Sequence, residues 1–337
     1  MDINVSTTCA AEHIKVYNMI LQGIISLVIL FGSGILIICV VMKPNLRTNF
    51  TDLLVSMAGA DLTAGVYMLF ATVGGIVRSS LSNVPFCFLM HSFASLSLIS
   101  SCVHVVLIGI NRHMAAKYPV KHRKHARLYT YISICVGWKI SVLFTALRCY
   151  WMVKSGFLEG DDCCHKFVVS GTAYITTLTF VLSVSVLLLL ILHVDIIRLL
   201  VWKRNRPIAP AIRAGITQYT MTRLRNTIRI SVMIFFSFTI CWMPYLAVEW
   251  HIRLYGPSDT LLSTRYIVFI ILFLNSSVNP IIYTIFNPDF KKAFWSVLCY
   301  LKRRRQHRLQ QQQQQAAQIE TIAHLPSNVR TINVRPL

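Results

Sequence analysis

Charge is scarce in this sequence, and acid is scarcest. Asp, Glu, Lys and Arg make up 13 % of the 337 residues, against about 25 % in a typical soluble domain. Acids number 12 and Lys plus Arg 33, leaving a net charge of +21 on a chain with few charges of any kind. A soluble two-domain enzyme would need a more charged surface. A disordered basic nucleic-acid binder would lack the apolar residues that here reach 55 %. No catalytic constellation or cofactor motif stands out, so neither an enzyme nor a nucleic-acid partner is expected. Internal repeats are also missing, which argues against a transporter built from two related halves. Nor is a cleavable leader expected: the first residues are polar and the first apolar run is too long. These exclusions leave a membrane protein with unevenly distributed charge.

A helix that crosses a bilayer needs about 20 mostly apolar residues. Seven stretches satisfy this: 17–42, 51–77, 86–114, 129–150, 172–200, 227–254 and 261–286. The expected fold is an all-α seven-transmembrane helix bundle with a short amphipathic eighth helix. Its boundaries are an extracellular amino terminus at 1–16, the bundle at 17–286, the eighth helix at 287–301 and a disordered cytoplasmic tail at 302–337. That tail opens on Lys302, Arg303, Arg304 and Arg305 and runs into glutamines at 310–315. The third span is the least apolar, with Ser92, Ser95, Ser97, Ser100, Ser101 and His104, which suits a helix surrounded by other helices.

Orientation follows from the loops, because Lys and Arg accumulate on the cytoplasmic side. With the amino terminus outside, Lys15, Arg78, Arg148, Lys154, Lys166, Arg253 and Arg265 balance Asp2, Glu12, Glu159, Asp161, Asp162, Glu249 and Asp259. Within the membrane Lys139 offsets Asp61. The remaining bases face only Asp52, Asp195, Asp289 and Glu320, so the whole +21 is cytoplasmic. The sequon Asn4-Val5-Ser6 then lies outside, as glycosylation requires. Ten cysteines in so long a chain do not indicate a disulfide scaffold. Cys299 follows a basic amphipathic segment at the inner face, where palmitoylation is expected.

The motifs are more specific than the span count. Phe238 with Cys241-Trp242-Met243-Pro244 in the sixth span resembles the CWxP motif of rhodopsin-like (class A) G-protein-coupled receptors. Asn275 and Asn279-Pro280-Ile281-Ile282-Tyr283 resemble their NPxxY segment. Asn287-Pro288-Asp289-Phe290-Lys291-Lys292-Ala293-Phe294 resembles their eighth helix, and Ser56-Met57-Ala58-Gly59-Ala60-Asp61-Leu62 their second-span signature. Cys87, Arg112 and Trp138 fall at matching positions. Within the family the nearest look is to the amine, melatonin and opsin branch.

The resemblance implies a receptor on the plasma membrane that binds an extracellular small molecule or peptide and activates a heterotrimeric G protein, with arrestin as a further partner. It implies a disulfide from Cys87 to Cys164 or to Cys163. It implies a pocket lined by His91, Ala94, Ser95, Leu98, Thr177, Trp242, Tyr245, Leu246, Glu249, Arg265, Phe269 and Phe273. Ala94 stands where amine receptors carry an aspartate, and Phe273 where opsins carry the retinal lysine. Glu249 and Arg265 either hold a zwitterion or peptide terminus or pair with each other.

No cofactor is implied beyond a sodium ion as allosteric modulator, at Asp61, Ser101 and Asn275; a hydrogen-bonded polar cluster is the alternative. The switch and coupling residues carried over are Asn111, Arg112, His113, Tyr118, Pro119, Phe238, Trp242, Pro244, Asn279, Pro280 and Tyr283. Several departures from the pattern matter. Asn111 replaces the acid beside Arg112 and Leu224 replaces the acid on the sixth helix, so raised basal activity is expected. Ser33 stands for an asparagine, and Ser185 and His193 for the proline and tyrosine of the fifth span. These departures favour, as an alternative, an atypical receptor that scavenges ligand or senses chemicals with weak G-protein coupling. A transporter is a more distant alternative.

Overall fold

The long apolar runs become helices, since a backbone in lipid must satisfy its own hydrogen bonds. The structure is a computed structural model, and it describes residues 16–76, 84–154, 172–205 and 216–323. Its helices are α1 (Val16–Met42), α2 (Asn49–Ile76), α3 (Val84–Lys117), α4 (Pro119–Lys154), α5 (Thr172–Asn205), α6 (Ile216–Tyr255), α7 (Asp259–Phe286) and α8 (Pro288–Ala323). A short 3-10 turn, Pro44–Leu46, joins α1 to α2. Seven of the helices are long and apolar enough to cross a membrane: Met19–Met42, Asn49–Gly74, Phe88–Lys117, Lys124–Lys154, Ile175–Leu199, Ile228–Tyr255 and Ser263–Phe286.

Local chemistry sets the ends. Pro119 opens α4, a position where its missing N–H costs nothing. Ser258 caps α7 by accepting from the Leu261 N–H at 3.3 Å. Between α6 and α7 the chain turns on Gly256, whose φ of 86° only glycine adopts without strain. Asn287 serves two helices. Its N–H donates to the Tyr283 carbonyl at 3.0 Å and closes α7, while its Oδ1 accepts from the N–H groups of Asp289 and Phe290 and opens α8.

The core runs along α3, α6 and α7, with Ile108, Phe238, Trp242, Leu272 and Tyr283 all buried. Two glycines permit close helix approach. A Cβ on Gly65 of α2 would lie 2.8 Å from Leu30 of α1, and the Gly65 carbonyl there accepts from the Ser26 hydroxyl at 2.8 Å. A Cβ on Gly32 of α1 would lie 3.0 Å from the Pro280 ring, so α1 packs on the α7 kink. By contrast α4 and α5 turn most of their apolar side chains outward, among them Leu143 and Phe180, as helices in contact with lipid do. Lys139 is exposed on that outer face midway along α4.

One boundary is corrected. The eighth helix does not end at 301: α8 continues through the basic run and the glutamines to Ala323. Lys, Arg, Gln and Ala are all good helix formers, and no Gly or Pro interrupts the segment. Low complexity, the basis for expecting a disordered tail, does not by itself oppose a helix.

Candidate functional site

The described helices place candidate residues at three depths. At the inner end of α3, Arg112 is buried and forms no ion pair among the described residues. Its guanidinium donates through Nη2 to the Oδ1 of Asn111 and lies over the Phe50 ring of α2, 4.1 Å from the centroid. Asn111 also reaches His122 near the start of α4, Nδ2 to Nε2 at 3.4 Å. Burial, then the charge of Arg112, lowers the His122 pKa below its usual 6.5. Among the described residues Arg112 thus meets no carboxylate, but it is restrained by a ring and an amide. Next along, His113 Nε2 meets Asp195 Oδ2 of α5 at 2.7 Å, with Lys117 3.4 Å from the same oxygen. Tyr118 and Val120 are exposed beside Pro119.

Midway through the bundle, polar groups of α2, α3 and α7 converge. Asn279 donates through Nδ2 to Asp61 Oδ2 at 2.9 Å, and Asn275 through Nδ2 to Ser101 Oγ at 3.2 Å. The Ser276 hydroxyl also lies within reach of Asp61. Of the expected trio, Ser101 and Asn275 bond each other, while Asn279 supplies the direct bond to the Asp61 carboxylate. Three oxygens remain buried without a hydrogen-bond partner: Asp61 Oδ1, Asn275 Oδ1 and Asn279 Oδ1. Unpartnered oxygens around a buried carboxylate fit a hard cation such as sodium. Among the described residues no three His, Cys, Asp or Glu side chains converge, so a transition-metal site is not formed there. Tyr283 Oη is buried nearby without a partner, and Phe238 packs on Trp242 at 5.5 Å between ring centroids.

Toward the outer end, aromatic rings form a floor. Tyr67 stacks on Phe273 at 5.1 Å, Phe273 meets Phe269 edge-on at 5.1 Å, and Phe269 lies 6.0 Å from Tyr245. Above them Arg265 donates through Nε to Glu249 Oε1 at 2.6 Å, with both residues buried. Arg253 lies 3.7 Å from the other Glu249 oxygen. Glu249 and Arg265 therefore pair with each other.

Residues 32–283 match the family model described as 7 transmembrane receptor (rhodopsin family). The chain belongs to that family. Several relatives of the receptor are distant. It is 21 % identical to somatostatin receptor type 1 of Rattus norvegicus, with 83 % of this chain and 71 % of the relative covered. It is 22 % identical to galanin receptor 2b of Danio rerio, with 85 % and 77 % covered. Identity to the trace amine-associated receptor 13c of Danio rerio is 25 %, with 86 % and 89 % covered. The family is not enzymatic, and the receptor is a multi-pass membrane protein with seven spans.

In the receptor, Trp242, Tyr245, Leu246, Phe273, Ala94 and Ser95 are buried, and His91, Leu98, Thr177 and Phe269 partly so. Pro244 and Pro280 lie inside α6 and α7, as their motifs require. His193, in the place of the fifth-span tyrosine, is bound between the Leu189 carbonyl at 2.7 Å and Ser231 of α6 at 3.1 Å. Ser33 is buried, and its hydroxyl has no partner. Cys299 is an exposed free thiol on α8, and Cys149 is also free. Asn4, Cys163, Cys164 and the side chains of Cys87 and Leu224 lie outside the described residues.

Sequence reading missed Phe50 and His122 as neighbours of Arg112, and Arg253 as the second cation on Glu249. The i, i+4 spacing of Glu249 and Arg253 was the available signal for the last. Phe50 is indistinguishable in sequence from a packing residue.

Proposed function

We propose that the receptor binds an extracellular ligand at the outer ends of its helices and, in response, promotes nucleotide exchange on a heterotrimeric G protein at the inner face of the plasma membrane. The observation that carries this reading is the series of buried functional groups between the two faces. Between the aromatic floor and the inner face, Trp242, Phe238, Asp61, Asn279, Tyr283 and Arg112 are all buried, and Phe238 packs on Trp242. A ligand that favours one arrangement of these groups shifts the helix population, and no bond is made or broken in the receptor. Pro244 and Pro280 provide hinges because each removes a backbone hydrogen bond from its helix. Exposed Tyr118 and Val120, with the basic inner rim, are the docking surface for the G protein and afterwards for arrestin.

Asp61, Asn275 and Asn279, with Ser101 and Ser276 beside them, would hold a sodium ion, which would supply positive charge to a carboxylate that α7 otherwise satisfies only in part. Cys299, exposed on α8, would carry the palmitoyl group at the membrane surface.

The test is an exchange assay on the surface-expressed receptor across a panel of G-protein α subunits, beside Arg112→Ala. Exchange above background, lost in the variant, is expected. No exchange on any member at confirmed surface expression would favour the atypical reading. That second reading has its own support in His193, which stands where the family's tyrosine would meet Tyr283 and instead bonds Ser231 of α6.

A further inference from the structure

We infer that the outer ends of α6 and α7 form a carboxylate-exchange site, and that the extracellular ligand is an organic anion: a carboxylate on an apolar or aromatic body. This deepens the receptor reading above and rests on it. Glu249 is one buried acid between two guanidiniums, Arg265 at 2.6 Å and Arg253 at 3.7 Å. Arg265 spends only its Nε on Glu249. Its terminal nitrogens make no hydrogen bond to another described residue, and a guanidinium presents a planar fork matched to a carboxylate. If Arg265 turns to a second carboxylate, Glu249 is not stranded, because Arg253 remains against its other oxygen. The ion pair can therefore be exchanged without leaving a lone buried charge, the outcome that normally makes breaking such a pair costly.

The surroundings define the rest of the ligand. Tyr245 lies one helical turn below Glu249, and Phe269 one turn below Arg265, about 6 Å deeper. Those rings are 6.0 Å apart, and Phe273 continues the apolar surface. A charged rim over an aromatic floor suits an amphipathic acid. A simple amine fits poorly, because the acid at this rim is already bracketed by two cations and α3 offers Ala94 where an ammonium anchor would be. The pair also ties the outer end of α6 to α7, so ligand exchange at Arg265 releases a clasp on the helix that carries Trp242.

The experiment uses the full-length receptor in lipid nanodiscs. Its thermal midpoint is followed with millimolar 3-phenylpropionate, 3-phenylpropionamide and 3-phenylpropylamine at constant ionic strength. The carboxylate should raise the midpoint, while the amide and amine should not. Glu249→Gln removes the competing acid and should lower the half-saturating carboxylate concentration by about tenfold. Arg265→Gln should abolish the response. The double variant Glu249→Gln, Arg265→Gln should also abolish it, and it leaves the net charge of the cluster unchanged. Equal responses to the three probes, no carboxylate response in Glu249→Gln, or a response that survives in the double variant would overturn the inference. Nucleotide exchange is measured separately: exchange without selective carboxylate stabilisation rejects this site alone, and the converse rejects the G-protein reading alone.

Discussion

Arg112 shows how a substitution next door changes the means of restraint rather than removing it. With Asn111 beside it the guanidinium has no carboxylate, yet it is buried between the Phe50 ring and the Asn111 amide oxygen. A desolvated cation–π contact is worth about 2 kcal/mol, which corresponds to roughly thirtyfold in a two-state equilibrium. Phe50→Leu, which keeps apolar volume but removes the ring, should raise agonist-free nucleotide exchange by several-fold at equal surface expression. Asn111→Asp should lower it by restoring an ionic partner. Unchanged exchange in both variants would mean that Arg112 is not held where the resting state is decided. His122 adds a pH dependence. Its folded pKa is lowered by burial and by Arg112, so its neutral form belongs to the folded state. It costs nothing well above pH 6.5 and destabilises progressively as the pH falls through that value. The thermal midpoint should therefore drop between about pH 7 and pH 5 more steeply in the wild type than in His122→Gln. Parallel profiles would show that the ring is not desolvated. From sequence, Asn111 and Arg112 are legible because a motif frames them. Phe50 and His122 are not, because their role depends on where α2 and the start of α4 pass the end of α3.

At the scale of the helices, length was the most legible property, because bilayer thickness fixes it independently of packing. The seven expected spans reappear, most with shifts of a few residues; the larger extensions are at the starts of α4, which begins at Pro119 and not at 129, and of α6, which begins at Ile216 and not at 227. Close approaches were not legible, since a glycine in a span has many explanations. Gly65 illustrates the difference. Its missing side chain lets α1 and α2 approach until Ser26 bonds the Gly65 carbonyl, and an added Cβ would meet Leu30 at 2.8 Å. Gly65→Ala should therefore destabilise the receptor by about 1–3 kcal/mol, the usual cost of overpacking. Leu30→Ala in the same chain should recover part of that loss, and a double-mutant cycle on thermal midpoints measures the coupling. Additive effects would place the clash elsewhere. The extent of α8 has a different physical origin. Glutamine repeats are monotonous in sequence, but their backbone preference is helical, and α8 continues through them to Ala323.

For the whole molecule, the uneven charge has two consequences. The inner excess follows from topology and informs little about signalling. The few charges placed elsewhere carry the information, and Asp61 is the deepest of them. Its carboxylate accepts from Asn279 on one oxygen and keeps the other, with the oxygens of Asn275 and Asn279, unpartnered in the core. An ionised group so placed costs several kcal/mol unless a cation or proton answers it. An ion held between α2, α3 and α7 stabilises only the arrangement that keeps those helices together, so it must oppose any state in which α7 moves. Replacing potassium by sodium at constant ionic strength should raise the thermal midpoint and lower agonist-free exchange together. At a concentration about ten times its dissociation constant the ion contributes about 1.4 kcal/mol. Asp61→Asn should abolish both responses, because the amide removes the charge while Asn279 can still bond it. Ser101→Ala should weaken them less, because Ser101 reaches the cluster only through Asn275. If sodium and potassium act alike, the unpartnered oxygens belong to a neutral hydrogen-bonded cluster, and Asp61 couples α2 to α7 through Asn279 and Ser276 without an ion.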